Sequence, residues 1–242
     1  MSKALVVGGA NGIGLSIAKE LASRDWCEKV YIVDKVPIIE EDIDIKFEYF
    51  QFDLTSSDYS LFDMFMDIDT LMITAGFGRL ALFKDLDEQY IVDSVSVNTI
   101  AVMRIIHRFY NKIHSNKDFY CGVMGSIAGF MSSPFFSVYG ASKAALKIFI
   151  ESVNVELLKE GTTNRIMNVS PGSIKGTAFY KGQTNLELLH PLSKEIIERL
   201  YNKEDLFIPQ YDEVYSKVLQ RYYNDFRAEG IHSYEYKEKS NR

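Results

Sequence analysis

The sequence predicts an α/β fold: a single domain, residues 1–242, with a doubly wound parallel sheet and helices on both faces. Short apolar runs rich in branched residues alternate along the chain with stretches whose apolar residues recur at helical spacing. A glycine cluster follows the first apolar run, and an aspartate ends the second. With 242 residues, 47% of them hydrophobic, the chain is long enough for one sizeable core and short for two.

Six segments are predicted to be buried strands because they are short, apolar and rich in strand-forming residues. Helical patterns between them make the connections crossovers, so the strands run parallel, and ligands are expected beyond their carboxyl ends. The predicted strands are Ala4–Val7, Val30–Val33, Phe47–Phe52, Thr70–Thr74, Tyr120–Met124 and Arg165–Val169. The helices predicted between them are Gly12–Ser23, Leu86–His114 and Tyr139–Lys159.

The C-terminal third has a looser pattern. Residues 177–212 mix polar and aromatic side chains with two prolines, and this segment is interpreted as an insertion that covers a substrate site. Two short helices fit near Leu192–Tyr201 and Tyr211–Phe226. The charged residues 237–242 are expected to form a flexible tail.

Composition and charge argue against several classes of protein. The 27 basic residues are scattered among 33 acidic ones, for a net charge of −6, so no surface for nucleic acid or anionic lipid is expected. No stretch approaches the roughly 18 uncharged apolar residues of a membrane span. The first predicted strand begins at Ala4 with no targeting segment ahead of it, so the expected location is the cytoplasm.

Cysteine and histidine usage does not indicate a disulfide or a metal site. Cys27 and Cys121 lie far apart, without metal-ligand spacing or the cysteine density of a secreted protein, so they are expected to be buried or idle thiols. The four histidines form no close pair. No bound metal is therefore expected.

The glycine cluster between the first strand and the first helix predicts a Rossmann-like dinucleotide site. Glycines let the backbone turn tightly and approach a pyrophosphate at the N-terminus of the helix. An ordinary turn followed by a helix start is the alternative interpretation of the cluster alone. The cofactor-binding residues expected in this loop are Gly8, Asn11, Gly12, Ile13 and Gly14.

Asp34 ends the second predicted strand about 20 residues after the last glycine. A carboxylate at this place can accept both hydroxyls of an adenosine ribose, and it would repel a 2′-phosphate. NAD is therefore favoured over NADP. Lys35 is the neighbouring residue that weakens this preference.

Tyr139 and Lys143 are spaced i and i+4 on a predicted helix, so a phenol and an ammonium share one face. A fixed cation lowers the pKa of a phenol from about 10 towards the range useful for acid–base catalysis. Taken alone, the pair fits a solvated helix face better. Ser126 follows the strand that ends at Met124, and its hydroxyl can hold a substrate oxygen at the same edge of the sheet.

In combination these motifs resemble the short-chain dehydrogenase/reductase family. The glycines are spaced G-x-x-x-G-x-G from Gly8, the fourth predicted strand ends in Thr74-Ala75-Gly76, and Asn98 lies within the next helix. Ser126 precedes the Tyr139-x-x-x-Lys143 pattern by thirteen residues. The resemblance extends from about residue 3 to about residue 177.

The resemblance implies a role for each matching residue. Tyr139 would be the general acid/base, Lys143 would lower its pKa and bind the nicotinamide ribose, and Ser126 would orient the substrate oxygen. Asn98 would hold a water that links Lys143 to solvent. The implied reaction is hydride transfer between NAD(H) and an alcohol or ketone. The further cofactor contacts implied are Asp53, Leu54, Ala75, Gly76, Pro171, Gly172 and Ile174, besides Tyr139 and Lys143.

The sequence departs from the family pattern at three places. Thr74 replaces the asparagine of the usual Asn-Ala-Gly turn. After Pro171-Gly172 the usual threonine position is Gly176, with Thr177 one place late. The C-terminus lacks the family's closing strand and Asp-Gly-Gly, which puts the usual tetramer in doubt. A homodimer through the helices around Asp87–His114 and Tyr139–Lys159 is expected, with a homotetramer as the other possibility.

The residues that flank the motifs predict an apolar, aromatic-rich substrate pocket, and hence a weak preference for a hydrophobic alcohol or ketone. Core packing is an equally good explanation for each of them. The alternative function is a regulatory protein that senses NAD(H) on the same fold without turnover. The predicted wall residues are Phe77, Ile127, Phe130, Met131, Phe135, Phe136, Phe179 and Tyr180.

Overall fold

A computed structural model describes residues 2–177 and 183–239 of the chain. Within these residues one sheet contains seven parallel strands. Its strands are β1 Ser2–Val7, β2 Cys27–Asp34, β3 Phe47–Gln51, β4 Thr70–Ile73, β5 Tyr120–Met124, β6 Ile166–Val169 and β7 Leu206–Phe207. The order β3-β2-β1-β4-β5-β6-β7 reverses direction between β1 and β4, which opens a crevice at their carboxyl ends. The predicted fold class is confirmed.

Helices cover both faces of the sheet. They are α1 Gly12–Ala22, α2 Glu88–Val95, α3 Ala101–Ile113, α4 Ser137–Lys159, α5 Leu186–Tyr201, α6 Ser216–Asn224 and α7 Phe226–Lys239. Short π-helical turns at Ser96–Ile100 and Tyr211–Tyr215 precede α3 and α6. Among the described residues, no helix has the length and apolar character needed to span a bilayer.

Side chains along β1 point alternately to the two faces of the sheet and pack into two separate cores. Leu5 and Val7 pack on one face with residues of α3 and α4, whereas Ala4 and Val6 pack on the other with residues of α1 and α5. All four side chains are almost fully buried. Burial of each larger side chain contributes roughly 1.5–3 kcal/mol, so a strand buried on both faces anchors the site that follows it.

The long helix predicted over Leu86–His114 is interrupted. It begins at Glu88, where the Asp87 carboxylate caps it by accepting from the Tyr90 backbone N–H at 2.7 Å. The π-helical turn Ser96–Ile100 then adds a residue to one turn before α3 begins. Such a turn rotates the helix face, and Asn98 within it is fully buried.

The covering insertion predicted for residues 177–212 is wrong over most of its length. Within it, α5 buries Leu189 and Ile196 completely, packs against α1, and leads into β7 at the edge of the sheet. Helix α5 therefore covers the same face of the sheet as α1, and β7 extends the edge of the sheet. Thr184, just before α5, reaches the glycine loop, because its Oγ1 accepts from the Gly12 N–H at 2.9 Å.

The C-terminus forms a helical hairpin rather than a loose end. Arg221 of α6 binds Glu229 of α7 through two hydrogen bonds of 2.6 and 3.0 Å. The Lys237 ammonium donates to the Ser133 hydroxyl and the Pro134 carbonyl at 2.7 and 2.8 Å. The tail predicted from residue 237 is therefore wrong at its start, because α7 continues to Lys239; residues 240–242 lie outside the described part.

Both cysteines are buried free thiols, as the sequence predicted. Burial raises the pKa of Cys121 to about 12, so its thiol stays protonated and inert. Within residues 2–177 and 183–239, no group of three His, Cys, Asp or Glu side chains is placed to hold a metal ion.

Candidate active site

A cavity of about 970 Å³ lies between the carboxyl ends of the strands and the C-terminal helices. It extends from the glycine loop to the start of α4, and Ser126 lies in its wall. Every cofactor-binding residue predicted from the sequence lines it: Gly8, Asn11, Gly12, Ile13, Gly14, Asp34, Asp53, Leu54, Ala75, Gly76, Tyr139, Lys143, Pro171, Gly172 and Ile174.

The glycine loop is shaped by close backbone packing. Gly8 has φ +86°, and a Cβ there would lie 2.4 Å from the Ala75 backbone nitrogen. A Cβ on Gly14 would lie 2.0 Å from the Gly8 carbonyl oxygen. Gly12, with φ +55°, instead has open space around its Cβ position. Gly8 thus lets the loop pack against the turn after β4, and Gly14 lets α1 pack against the loop. Gly12 leaves room above the N-terminus of α1.

Thr74 anchors the turn after β4 to the end of β1 and the glycine loop. Its hydroxyl lies 3.0 Å from the carbonyl oxygens of both Val7 and Gly8. The Thr74 and Ala75 backbone N–H groups also donate to the Val7 carbonyl. The departure from asparagine at this position therefore preserves the contact between the β4 turn and the glycine loop.

Asp34 and Asp53 form the acidic end of the cavity. The Asp34 carboxylate accepts from the Ala10 N–H at 3.0 Å and from the Val36 N–H at 3.2 Å, so it is tied to the glycine loop. Lys35 forms an ion pair with Asp53 at 2.8 Å. The Lys35 hydrogen bond and the hydrogen bonds from Thr55 hold the pKa of Asp53 at about 2.

Lys143 lies one helical turn after Tyr139, as predicted, and its side chain is buried. Its ammonium donates to the Met124 carbonyl at 2.7 Å, which anchors it to the end of β5. The ammonium lies 5.7 Å from the centroid of the Tyr139 ring. Burial lowers the pKa of Lys143 to about 8. The phenol and the cation are thus neighbours in a place with little water.

Ser126 is held beside this pair by the turn that it begins. Its Oγ accepts from the Ala128 N–H at 3.2 Å and caps the turn Ile127–Gly129. A Cβ on Gly129 would lie 2.7 Å from the Lys143 carbonyl oxygen, so only a glycine lets this turn meet α4. Gly129 could not be recognised from the sequence, because its importance depends on this tertiary contact.

Asn98 is buried behind the cavity wall. Its Oδ1 accepts from the Phe77 N–H, and its Nδ2 donates to the Phe77 carbonyl, both at 2.9 Å. Nδ2 also lies 3.1 Å from the Ser142 hydroxyl on α4. A Cβ on Gly76 would lie 3.1 Å from Asn98 Oδ1 and 3.2 Å from Lys143 Nζ. The amide therefore fixes the Gly76 turn beside Lys143.

The segment after β6 borders the same cavity. The Ile127 N–H donates to the Pro171 carbonyl at 3.0 Å, which joins this segment to the Ser126 turn. A Cβ on Gly172 would lie 1.6 Å from the Tyr215 hydroxyl. The Thr177 hydroxyl donates to the Ile174 carbonyl within its own turn at 3.0 Å.

The predicted pocket wall is confirmed for Phe77, Ile127, Met131 and Phe136, which line the cavity. Phe130 instead packs in a small cluster with Ile208 and Leu219, and Phe135 packs on Tyr234. The positions predicted for Phe179 and Tyr180 lie outside the described residues. C-terminal residues that the sequence did not indicate also line the cavity: Val214, Tyr215, Val218, Arg221, Glu229, His232, Ser233, Tyr236 and Lys237.

Comparison with known proteins identifies relatives for most of the chain. A family model described as short chain dehydrogenase matches residues 2–187. An uncharacterized oxidoreductase of Saccharomyces cerevisiae is 27% identical over 203 residues, 78% of this chain and 65% of that protein. Human 17-beta-hydroxysteroid dehydrogenase type 1 is 32% identical over 104 residues, 43% of this chain and 32% of the relative. The chain thus spans less than two thirds of the length of both curated relatives.

Solved structures share the fold at lower identity. A short chain dehydrogenase from Burkholderia cenocepacia in complex with NADP matches with a TM-score of 0.76 at 19% identity, over 96% of this chain and 97% of that one. A short-chain dehydrogenase from Streptomyces avermitilis matches over 100% of both chains with a TM-score of 0.75, also at 19% identity. At such identities the likeness establishes the fold alone.

Proposed function

Because the chain belongs to the short-chain dehydrogenase/reductase family, we propose that it transfers a hydride between a nicotinamide dinucleotide and an alcohol or ketone. The observation that carries this proposal is the meeting of the glycine loop with Ser126, Tyr139 and Lys143 in one cavity. When bound, the dinucleotide supplies the hydride chemistry. The protein supplies binding, orientation and proton handling.

The cavity fits such a cofactor. Its volume of about 970 Å³ lies at the upper end of the ~300–1,000 Å³ typical of ligand pockets. The open space at Gly12 lies at the N-terminus of α1, where backbone N–H groups favour phosphate. Asp34 and Asp53 would hold the adenosine end, and Pro171, Gly172 and Ile174 would border the nicotinamide end.

Tyr139 is the general acid/base of the proposed reaction. The buried Lys143 cation favours the phenolate form of its neighbour, which lets Tyr139 take the proton of an alcohol or return one to a ketone oxygen. The Ser126 hydroxyl accepts from Ala128 and keeps its own proton to donate to the substrate oxygen. Both groups would therefore act on the same oxygen atom.

Asn98 acts as a positioning residue in this proposal. Its amide is engaged by Phe77 and Ser142, so it holds the Gly76 turn and α4 in register around Lys143. These contacts engage the amide, and the water link to solvent that the family resemblance implies for Asn98 stays a prediction.

NAD is the cofactor that we favour. The Asp34 carboxylate is fixed by the Ala10 and Val36 N–H groups, so a 2′-phosphate would meet a negative charge that cannot easily turn away. The Burkholderia cenocepacia dehydrogenase carries NADP, which argues for the other cofactor. Lys35 is the cation that could receive a 2′-phosphate, but it is paired with Asp53.

Asp34→Ala tests this choice of cofactor. Removal of the carboxylate removes both the ribose contact and the repulsion, so we expect the affinity for NADH to fall and that for NADPH to rise. Fluorescence titration of both reduced cofactors measures the ratio directly, with Asp67→Ala, on the surface before β4 and away from the carboxyl ends of the strands, as the control. An unchanged ratio in the Asp34 variant would remove this residue from cofactor selection.

Tyr139→Phe tests the proposed function itself. A general acid/base contributes ~10²–10⁴-fold, so we expect hydride transfer to fall by at least two orders of magnitude while NADH binding stays nearly intact. The assay follows NADH absorbance with a panel of alcohols and ketones. Tyr223→Phe, at an exposed position of α6, is the matched control. Full turnover by the Tyr139 variant on a working substrate would refute the mechanism.

A further inference from the structure

The Pro171-Gly172 turn after β6 lies directly against a side chain that leads into the C-terminal hairpin of α6 and α7. A Cβ on Gly172 would lie 1.6 Å from the Tyr215 hydroxyl oxygen, 2.5 Å from Cζ and 3.2 Å from Cε2. All three of these atoms belong to Tyr215, so its ring occupies the space that a side chain at position 172 would need. Glycine is therefore the residue that lets the ring approach the turn.

Tyr215 ends the π-helical turn Tyr211–Tyr215, and the residue in front of this turn has a strained backbone. Gln210 has φ +59°, in the left-handed region that residues other than glycine rarely adopt. Its carbonyl accepts from the Val214 N–H at 3.0 Å and from the Tyr215 N–H at 3.3 Å. Strained residues and π-helical turns are frequent at functional sites, and here both precede the side chain that reaches Gly172.

Tyr215 also packs against a small apolar cluster beside the proposed reaction centre. One member of the cluster, Ile127, directly follows Ser126, and its N–H donates to the Pro171 carbonyl at 3.0 Å. The Tyr215 side chain itself lines the cavity. The turn that begins at Ser126, the turn after β6 and the hairpin therefore meet at Tyr215. The buried members of the cluster are Ile127, Ile208 and Leu219.

The other end of the hairpin is fixed to the segment before α4. The ring of Tyr234, in α7, packs on the ring of Phe135 with the centroids 4.7 Å apart. Phe135 is a second residue with a left-handed backbone, at φ +67°. Helix α4 begins two residues later and carries Tyr139. The hairpin is thus held at both ends, by Tyr215 at the turn after β6 and by α7 at the start of α4.

We propose that Tyr215 is a positioning residue for the nicotinamide half of the cofactor. Its ring holds the Pro171-Gly172 turn and the Ser126 turn together under the hairpin, so the nicotinamide half is bound only where all three are in place. The inference rests on the proposed function, in which Pro171, Gly172 and Ile174 border the nicotinamide.

The adenosine half should not depend on Tyr215. Asp34 ends β2 and Asp53 follows β3, whereas Gly172 follows β6. Four strand spacings, about 19 Å, separate β2 from β6 in the sheet. A defect at Tyr215 should therefore weaken binding of the nicotinamide half and leave that of the adenosine half unchanged.

The test compares NADH with ADP-ribose, which shares its adenosine and both phosphates but lacks the nicotinamide. Calorimetry measures the dissociation constants of both ligands for Gly172→Ala, Tyr215→Leu and the double variant. The methyl group of Gly172→Ala meets the Tyr215 ring, and such overpacking predicts a dissociation constant for NADH raised about tenfold or more. The dissociation constant of ADP-ribose should remain that of the wild type. Thermal unfolding checks that each variant is folded.

Tyr215→Leu removes the atoms that the new methyl group would meet. Alone it should raise the dissociation constant of NADH about threefold or more, because the turn loses its support. In the double variant, Gly172→Ala should then cause little further loss, so the two effects should not add. Tyr211→Leu is the matched control, since Tyr211 belongs to the same π-helical turn but does not line the cavity. It should bind both ligands as the wild type does.

Two outcomes would overturn the role of Tyr215. If Gly172→Ala weakens NADH binding equally with and without Tyr215→Leu, the methyl group acts on something other than the ring. If NADH and ADP-ribose are weakened equally, the defect is one of general structure. Should Gly172→Ala fail to fold, Tyr215→Leu decides alone, and unchanged NADH binding by that variant would refute the inference.

Failure of this inference can be told apart from failure of the proposed function. Wild-type protein that binds neither NADH nor NADPH would refute the proposed function and the role of Tyr215 with it. Turnover of an alcohol or ketone that depends on Tyr139, together with unchanged NADH binding by Tyr215→Leu, would support the proposed function and refute the role of Tyr215 alone.

Discussion

Lys143 carries its charge where little water reaches it. The residue is 3% exposed, and burial lowers its pKa from 10.5 to about 8. Between these two pH values the unfolded chain binds more protons than the folded one. The contribution of Lys143 to the free energy of unfolding therefore rises as the pH rises through this window, and it is least favourable below pH 8.

Lys143→Met should remove this dependence on pH. A shift of this size corresponds to about 3 kcal/mol, so we expect the variant to unfold at higher urea than the wild type at pH 7, with the gap closing by pH 10. Loss of the hydrogen bond to the Met124 carbonyl reduces the gain. Urea unfolding at pH 7, 8, 9 and 10 measures the difference in the free energy of unfolding between the variant and the wild type.

The control for this experiment is Lys147→Met on the same helix. Lys147 forms an ion pair with Glu151 at 2.8 Å, so its replacement removes a lysine of α4 that does not line the cavity. Identical pH profiles for the wild type and Lys143→Met would mean that the buried charge does not cost stability. Activity should be lost in the Lys143 variant alone.

At the level of single residues, the sequence predicted those that follow a strand or repeat at a helical interval. Ser126 follows β5 directly, and Tyr139 and Lys143 share a helix face, but it was the combination of motifs and the family resemblance that predicted one site for all three. Gly129 was missed because nothing in the local sequence indicates that α4 lies 2.7 Å from its Cβ position. The partners of Asn98 depend on tertiary packing in the same way.

At the level of elements, periodicity predicted what was long and amphipathic. Six strands and the helices around them were found with shifts of a few residues, but β7, with two residues, is too short to show a period. Helix α7 was missed for another reason. The face of α7 that lines the cavity is polar, so the apolar repeat that indicates a helix is absent from the sequence.

The helices α1 and α5 meet at their N-termini, and the apolar periodicity of the two helices did not predict this contact. The Thr184 hydroxyl accepts from the Gly12 N–H, and the next residue, Asn185, caps α5 by accepting from the Leu188 N–H at 3.1 Å. Gly176 has no side chain, and the Thr177 hydroxyl is used within its own turn. Within the described residues, Thr184 therefore places a hydroxyl beside the proposed phosphate site.

Thr184→Val should weaken cofactor binding. Loss of one hydrogen bond of ~1 kcal/mol predicts a dissociation constant raised about threefold to tenfold. Fluorescence titration with NADH measures it, and competition by ADP-ribose shows whether the loss lies at the phosphates. Thr163→Val, at a remote position near Lys203, is the control. Tighter binding by the Thr184 variant would show that this hydroxyl obstructs the site instead.

For the molecule as a whole, α4 presents two different faces. Tyr139 and Lys143 face the cavity, whereas Ile148, Val155 and Leu158 are 59%, 66% and 63% exposed. Ile148 and Val155 are two turns apart on one face. Large apolar side chains grouped on one helix face usually mark an interface, which supports the homodimer expected from the sequence.

The double substitution Ile148→Glu and Val155→Glu tests this interface. Two like charges on each protomer would meet their copies across a two-fold interface, so we expect the wild type to sediment as a dimer at micromolar concentration and the variant as a monomer. Circular dichroism should remain unchanged, since both side chains already face solvent within the protomer. Ile45→Glu places the same charge at another exposed apolar residue, 100% accessible and just before the edge strand β3, and should leave the dimer intact. A dimer that survives the double substitution would place the interface elsewhere, and the C-terminal hairpin would be the next surface to change.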